Sequence, residues 1–227
     1  MNNGILWIVA TPIGNKKDIT LRALEILRSA DLIVGEEFKY TQKLLKEYEL
    51  LNKDIDELNE HNQPEKTDEI IGFLKTGKIA ALISDHGMPV IADPGWLLVK
   101  KCYENNISVE IAGGISSITT ALALSGFKID DFVFFSRIPR NKDERKKFFI
   151  ELRKNIQVKV FIDAPYRLIN VLENICFFYS NKAEVAVCFE LTTERQKIIR
   201  GNITTVLNNF KNQKLKGEFI VVLNGMK

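Results

Sequence analysis

The chain has 227 residues, 45% of them hydrophobic and 27% charged, with a formal net charge of +3. That length suits two domains of about 110 residues, since single domains run about 100–200, and the apolar fraction is enough for a substantial core. The small net charge names no partner by itself, and the longest apolar run, Ile5 to Ala10, is far short of the roughly 20 residues that span a bilayer.

Ile5 to Ala10 reads as a buried strand that ends at the turn Thr11-Pro12-Ile13-Gly14-Asn15. A helix follows, with Asp18 or Thr20 as N-cap and Leu21, Leu24 and Leu27 on its inward face. Asp31 to Val34 reads as a short strand. Thr67 is expected to cap a helix with Ile70, Phe73 and Leu74 inward, and Ile79 to Ser84 is another apolar strand. Asp93-Pro94 has the form of a helix start, with an acid at the N-cap and proline at the first position. Ile107 to Ile111 is a strand, Gly113-Gly114 a turn, and Ser116 or Ser117 opens the next helix. This alternation predicts a mostly parallel sheet covered by helices. Beyond Ile129-Asp130-Asp131 come a strand from Val133 to Arg137, a basic helix and a strand from Val158 to Ile162. A helix with Leu168, Val171, Leu172 and Ile175 follows, then strands at Val185–Phe189, Lys197–Arg200 and Glu218–Leu223. The shorter spacings after Val185 predict a mixed second sheet. The expected fold class is therefore two α/β domains, residues 1–113 and 114–227, with the boundary inside 112–128.

Charge is unevenly placed. Arg137 to Lys154 holds eight basic residues against three acids, a composition that attracts phosphate backbones or simply solvates a helix face. The three cysteines, Cys102, Cys176 and Cys188, form no C-x-x-C pair, and Met1-Asn2-Asn3-Gly4 has no basic n-region. Buried thiols in a reducing cytoplasm are the expectation, which makes the sequon Asn202-Ile203-Thr204 a chance match. Two histidines, His61 and His86, without paired cysteines argue against zinc, and no metal is expected. Gly72 to Ile79 nearly fits a phosphate-binding Walker A loop, but Ile79 replaces the hydroxyl that holds magnesium and the segment runs helix to strand, the wrong order. No G-x-G-x-x-G follows the first strand.

Three turns follow apolar strands and carry glycine, with proline in the first two: Thr11 to Asn15, Ser84-Asp85-His86-Gly87-Met88-Pro89, and Ala112-Gly113-Gly114-Ile115-Ser116. Strand C-terminal ends are where open α/β sheets bind ligands, so the three favour a shared pocket. Ser84-Asp85 suits a ligand's hydroxyls or amine, or an Asx-turn capping local backbone. For Asp93 the alternatives are the N-cap and ligand contact. His61, in the polar stretch Asn59-Glu60-His61-Asn62, is either a loop residue or a proton acceptor beside a cleft.

Val9 to Asn15 followed by Asp18 to Leu24, and Ser84 to Pro89 followed by Ala92-Asp93-Pro94-Gly95, carry a resemblance. So do Thr120-Ala121-Leu122 with Ser125-Gly126, Asp163 to Arg167, Glu190-Leu191-Thr192 with Arg200-Gly201, and Lys216-Gly217-Glu218. In order, over about residues 5–225, these resemble the tetrapyrrole methylase superfamily, and within it the small-subunit ribosomal RNA ribose 2′-O-methyltransferases. The resemblance implies S-adenosylmethionine held in a cleft between two α/β domains, and a homodimer. It implies cofactor contacts from Pro12, Gly14, Asp85, Gly87, Met88, Ser116, Ser117, Ile162 and Phe189. Substrate contacts would come from Asn15, Arg22, Asp93, Arg140 and Arg167, with ribosomal RNA as partner. The chain departs from the family where Glu-Asp-Thr-Arg has become Glu36-Glu37-Phe38-Lys39 and Ala-Gly-Thr-Pro has become His86-Gly87-Met88-Pro89. Pro-Gly-Pro-Ser has become Gly113-Gly114-Ile115-Ser116, and an acidic pair has become Gln196-Lys197. Longer members continue into a further C-terminal segment; this sequence stops at Lys227.

A ribose hydroxyl is a poor nucleophile at neutral pH and gains from a base, for which Glu36, Glu37 and His61 are the candidates, with Arg22 and Arg167 on phosphate. The competing readings are methylation of a tetrapyrrole carbon or of a protein side chain, and a non-catalytic cofactor- or RNA-binding module. The basic helix favours RNA.

Overall fold

The computed structural model describes residues 3–213 and 217–225. The chain divides between Ser116 and Ser117 into two compact units.

The first unit runs β1 (Ile5–Val9), α1 (Leu21–Ser29), β2 (Leu32–Gly35), α2 (Phe38–Glu47), β3 (Asp54–Glu57), α3 (Gln63–Leu74), β4 (Ile79–Ile83), α4 (Trp96–Glu104) and β5 (Ser108–Ala112). Its sheet has the order β3-β2-β4-β1-β5, with every pair parallel. Alternate residues feed two cores. Leu6, Ile8, Ala80 and Leu82 pack with Ile70, Leu74, Leu98 and Cys102 of α3 and α4 on one face. Val9, Ile33, Ala81 and Ile83 pack with Ala23, Leu27, Leu44 and Leu45 of α1 and α2 on the other. Burial on both faces is why these strands read as continuous apolar runs.

Several local expectations need correction. Thr20, not Asp18, caps α1, its hydroxyl accepting from the Ala23 amide at 3.1 Å. Leu21 is 79% exposed, because the buried face is Ala23 and Leu27. Helix α3 begins four residues before Thr67, at Gln63 with Pro64 in its first turn, and Thr67 is buried inside the helix. Asp93 is not an N-cap. Gly95 opens α4 with φ +116, its amide donating to Gln63 Oε1 at 2.8 Å. The carboxylate of Asp93 instead accepts from Ser84 Oγ at 2.7 Å. Helix α2 and strand β3 were not anticipated.

The second unit runs α5 (Ser117–Ser125), β6 (Phe132–Phe135), α6 (Lys142–Leu152), β7 (Val158–Ile162), α7 (Leu168–Phe178), β8 (Glu184–Phe189), β9 (Lys197–Asn202), α8 (Ile203–Lys211) and β10 (Phe219–Leu223). The sheet order is β6-β7-β10-β8-β9. Only β6 and β7 pair in parallel; the other three pairs are antiparallel. This is the expected mixed sheet, with α8 as an unanticipated addition. One core joins Phe149, Phe161, Val171, Ile175, Val187, Phe210 and Val221. Asn202, the sequon asparagine, caps α8 by accepting from the Thr205 amide at 2.9 Å.

Several sequence blocks meet in space. A Cβ on Gly126 would lie 2.8 Å from Arg200, and one on Gly217 would lie 2.1 Å from the Glu190 carboxylate. That carboxylate also accepts from the Glu218 amide at 2.7 Å. Lys216 of the same block lies outside the described residues.

Candidate active site

The strand order of the first unit creates a switch point. From β1 the chain leaves into α1 on one face; from the adjacent β4 it leaves into α4 on the other. Loops that diverge to opposite faces open a crevice at the carboxyl ends of the strands, the general ligand position in open α/β sheets. The three glycine-bearing turns lie there, in register: Val9 pairs with Ile83 and with Ala112.

Thr11 ties the first two turns together. Its amide donates to Gly87 O at 2.8 Å and its hydroxyl to Ser84 O at 2.9 Å, while the hydroxyl accepts from the Gly87 amide at 3.1 Å. Gly87 has φ +83, and a Cβ there would sit 3.0 Å from Ile13 Cγ2 and 3.7 Å from Ile115 O. Gly87 thus touches both neighbouring turns. Gly114 approaches Ala10 so closely that a Cβ would lie 2.9 Å from the alanine Cβ. The turn after β4 is also strained, with Val90 at φ +77 and Ala92 at φ +68. A β-branched residue in the left-handed region is a true outlier, and such strain collects at functional sites.

Beside these turns lies a cluster of acids. Burial, ahead of the neighbouring charges of Glu37, Asp93 and Glu57, pushes the Asp85 carboxyl up to about 6; a hydrogen bond from the Glu37 backbone opposes that rise. Glu57 accepts from the Phe38 amide at 3.1 Å and from Asn59 Nδ2 at 2.7 Å. Tyr40 of α2 reaches His86, with its hydroxyl 3.2 Å from Nδ1 and the rings edge-on at 5.0 Å. Burial, then the Asp85 charge, raises the Tyr40 hydroxyl above its ordinary range. Thr11 reads from the sequence as a member of its turn but not as the tie between two turns, and neither Tyr40 nor Glu57 stands out in the sequence. For Glu57 the only signal was an acidic tetrapeptide, Asp54 to Glu57, that does not look like a strand.

The other anticipated residues of this unit are spread more widely. Pro12 is buried, while Gly14 and Asn15 are exposed, and Asn15 Oδ1 accepts from the Lys17 amide at 3.0 Å. The side chain of Met88 packs against the core, leaving its backbone at the turn. Ser116 is half-buried. Arg22 lies over the Trp7 ring at 5.3 Å. Glu36 is half-buried and Glu37 exposed at the N-cap of α2. His61 is exposed, its amide donating to Asn59 Oδ1 at 3.0 Å.

In the second unit, Ile162 and Phe189 stand at the carboxyl ends of β7 and β8, on either side of β10 and opposite Ile220 and Phe219. Ser117 opens α5. Arg167 is 8% exposed and engaged within the fold. Its guanidinium lies 3.0 Å from the Asp163 carboxylate and donates to Ile138 O at 2.9 Å. Such a group is a brace for the turn after β7 rather than a free phosphate contact. Arg140, by contrast, is exposed, 3.4 Å from the hydroxyl of the exposed Tyr166.

The donor set suits S-adenosylmethionine. Converging turns offer backbone donors and acceptors for its amino-acid moiety and adenosine, Asp85 offers a carboxylate for a hydroxyl or ammonium, and the glycines leave room for close approach. Among the described residues no group of three or more His, Cys, Asp or Glu is placed to hold a metal ion.

Residues 5–207 match the family model of tetrapyrrole (corrin/porphyrin) methylases. The chain is 41% identical to the ribosomal RNA small subunit methyltransferase I of Thermotoga maritima, over 98% of this chain and 99% of that protein. It is 38% identical to the protein of that name from Rickettsia prowazekii, over 97% and 78% respectively. Its fold resembles uroporphyrin-III C-methyltransferase from Thermus thermophilus, solved with S-adenosylhomocysteine, at a TM-score of 0.66 and 12% identity over 97% of each chain. The chain belongs to the tetrapyrrole methylase family, and it is an S-adenosylmethionine-dependent methyltransferase.

Proposed function

We propose that the protein transfers a methyl group to a ribose 2′-hydroxyl of small-subunit ribosomal RNA. The observation that carries this reading is near full-length identity of 41% and 38% to two proteins named ribosomal RNA small subunit methyltransferase I. The surface chemistry supports it: the basic segment forms the exposed α6, with Lys142, Lys146 and Lys147 turned to solvent, as a phosphate-binding face requires.

Bound S-adenosylmethionine supplies an already activated methyl, so the protein's task is alignment, water exclusion and removal of one proton. The turns around Pro12, Gly14, Gly87, Ser116 and Ser117, with Asp85 and the strand ends at Ile162 and Phe189, are the proposed cofactor contacts. Glu37 is the favoured base among Glu36, Glu37 and His61, because Glu37 acts directly on Asp85 through backbone and charge. Asn15, Arg22, Asp93 and Arg140 are proposed on the substrate side; Arg167 contributes by bracing its turn. The same reading carries a homodimer working in the cytoplasm, and sedimentation at equilibrium tests the dimer.

The decisive experiment is tritium transfer from labelled S-adenosylmethionine into small ribosomal subunits, followed by alkaline hydrolysis. A 2′-O-methyl ribose cannot attack its own phosphate, so the label should emerge in alkali-resistant dinucleotides. Label in mononucleotides would place the methyl on a base, and no transfer would sink the reading. A Glu37→Gln protein should bind cofactor normally yet lose transfer by about 10²-fold or more.

A further inference from the structure

Helix α6 and the turn that continues it carry two adjacent stripes at i, i+4, i+7 spacing. Phe148, Leu152 and Asn155 form one, and Lys147, Glu151 and Lys154 the other. The amides of Lys154 and Asn155 donate to the carbonyls of Glu151 and Leu152, so the helical path runs through both stripes. With Phe135 of β6, these residues line a shallow, open groove of about 700 Å³. Its aromatic wall is held in place. The Phe135 ring stacks on the buried Phe161 at 5.6 Å and 20°, and meets Phe148 edge-on at 5.1 Å and 89°. The rim holds Lys147 beside the Glu151–Lys154 pair at 2.6 Å. From Lys142 to Lys154 six basic residues outnumber the acids Asp143, Glu144 and Glu151, so the net sign is positive.

An occupant must offer a flat apolar face and negative charge together. An apolar peptide lacks the charge, and an acidic peptide without an aromatic residue lacks the flat face. A nucleotide of single-stranded RNA has both: the base stacks on an aromatic wall while its phosphates meet lysines, the combination used by single-strand binding surfaces. We propose that the cleft between β6 and α6 is a nucleobase-binding subsite that takes an unstacked base of the RNA substrate, with Phe148 as the stacking residue and Lys147 on the adjacent phosphate. This rests on the RNA-methylating reading, and none of the lining residues is among the proposed cofactor contacts.

The test is fluorescence anisotropy with a labelled single-stranded RNA across a salt series. Phe148→Ala should weaken binding at least fivefold and leave the salt dependence unchanged. Lys147→Glu should weaken binding and reduce the slope of log affinity against log salt by about one. Wild-type protein should lose a comparable factor when the bases of the strand are replaced by abasic sugars, an arm that needs no variant to fold. Equal wild-type affinity for base-bearing and abasic strands, or a folded Phe148→Ala protein within twofold of wild type, overturns the subsite. Methyl transfer by the wild type into small subunits is scored separately: its absence removes the RNA-methylating reading, whereas transfer together with base-blind binding removes the cleft alone.

Discussion

Asp85 is the residue whose state says most about the site. Its carboxyl ionises near 3.8 when unfolded and near 6 in the fold, mainly through burial. Between those values the folded chain holds the extra proton, so stability falls as pH rises from about 4 to about 6 and stays lowered above that. Asp85→Asn should therefore melt above wild type at pH 7.5, by about 2–4 °C for each kcal/mol relieved, and the two curves should converge near pH 4. The same variant should bind S-adenosylmethionine at least tenfold more weakly by calorimetry. Equal melting temperatures across the range would remove the burial account. Gly87 is the second informative residue, because its φ of +83 lies where L side chains are strained and a Cβ would press on Ile13 Cγ2 at 3.0 Å. Gly87→Ala should cost about 1–2 kcal/mol from the left-handed backbone alone, read by urea unfolding, and should weaken cofactor binding. Both positions were legible in the sequence as members of a turn. Their pairings were not, because Thr11 meets Gly87, and Glu37 and Glu57 meet Asp85, across neighbouring strands.

At the scale of elements, helix starts show how far local chemistry carries. Thr20 caps α1 as its sequence suggests, and Thr20→Ala should cost about 1 kcal/mol. Asp93-Pro94 looks like an equally good start, yet the Ser84 hydroxyl takes the carboxylate and the helix waits for Gly95. A tertiary hydrogen bond therefore outranked the local cap. The arginines divide in the same way. Arg167 and Asp163 form a buried pair, with side chains 10% and 4% exposed, so Arg167→Ala leaves an uncompensated buried charge and should cost about 3–5 kcal/mol in a urea titration. Arg140 is exposed, and Arg140→Ala should stay within about 0.5 kcal/mol of wild type while weakening RNA binding. Loss of RNA affinity without loss of stability in Arg167→Ala would restore Arg167 as a substrate contact.

For the whole molecule, a ligand that binds the fold and not the unfolded chain stabilises by about 2.7 kcal/mol at 100 times its Kd. S-adenosylmethionine at that excess should raise the melting temperature by about 5–10 °C, and an unchanged transition would contradict the proposed contacts. The chain read alone yields two α/β units, a parallel first sheet and a mixed second one. Strands buried on both faces must be continuous apolar runs, and glycine and proline must mark where such runs turn. It did not reveal α2, β3 or α8. An edge strand written Asp54-Ile55-Asp56-Glu57 carries no such run, and none of its residues is fully buried. The acid cluster exists only in the folded chain, since parallel pairing of β2 with β3 and β4 is what carries Glu37, Glu57, Asp85 and Asp93 to the carboxyl end of the sheet. The Tyr40–His86 contact arose in the same way: separation along the chain hides what strand register brings within hydrogen-bonding distance.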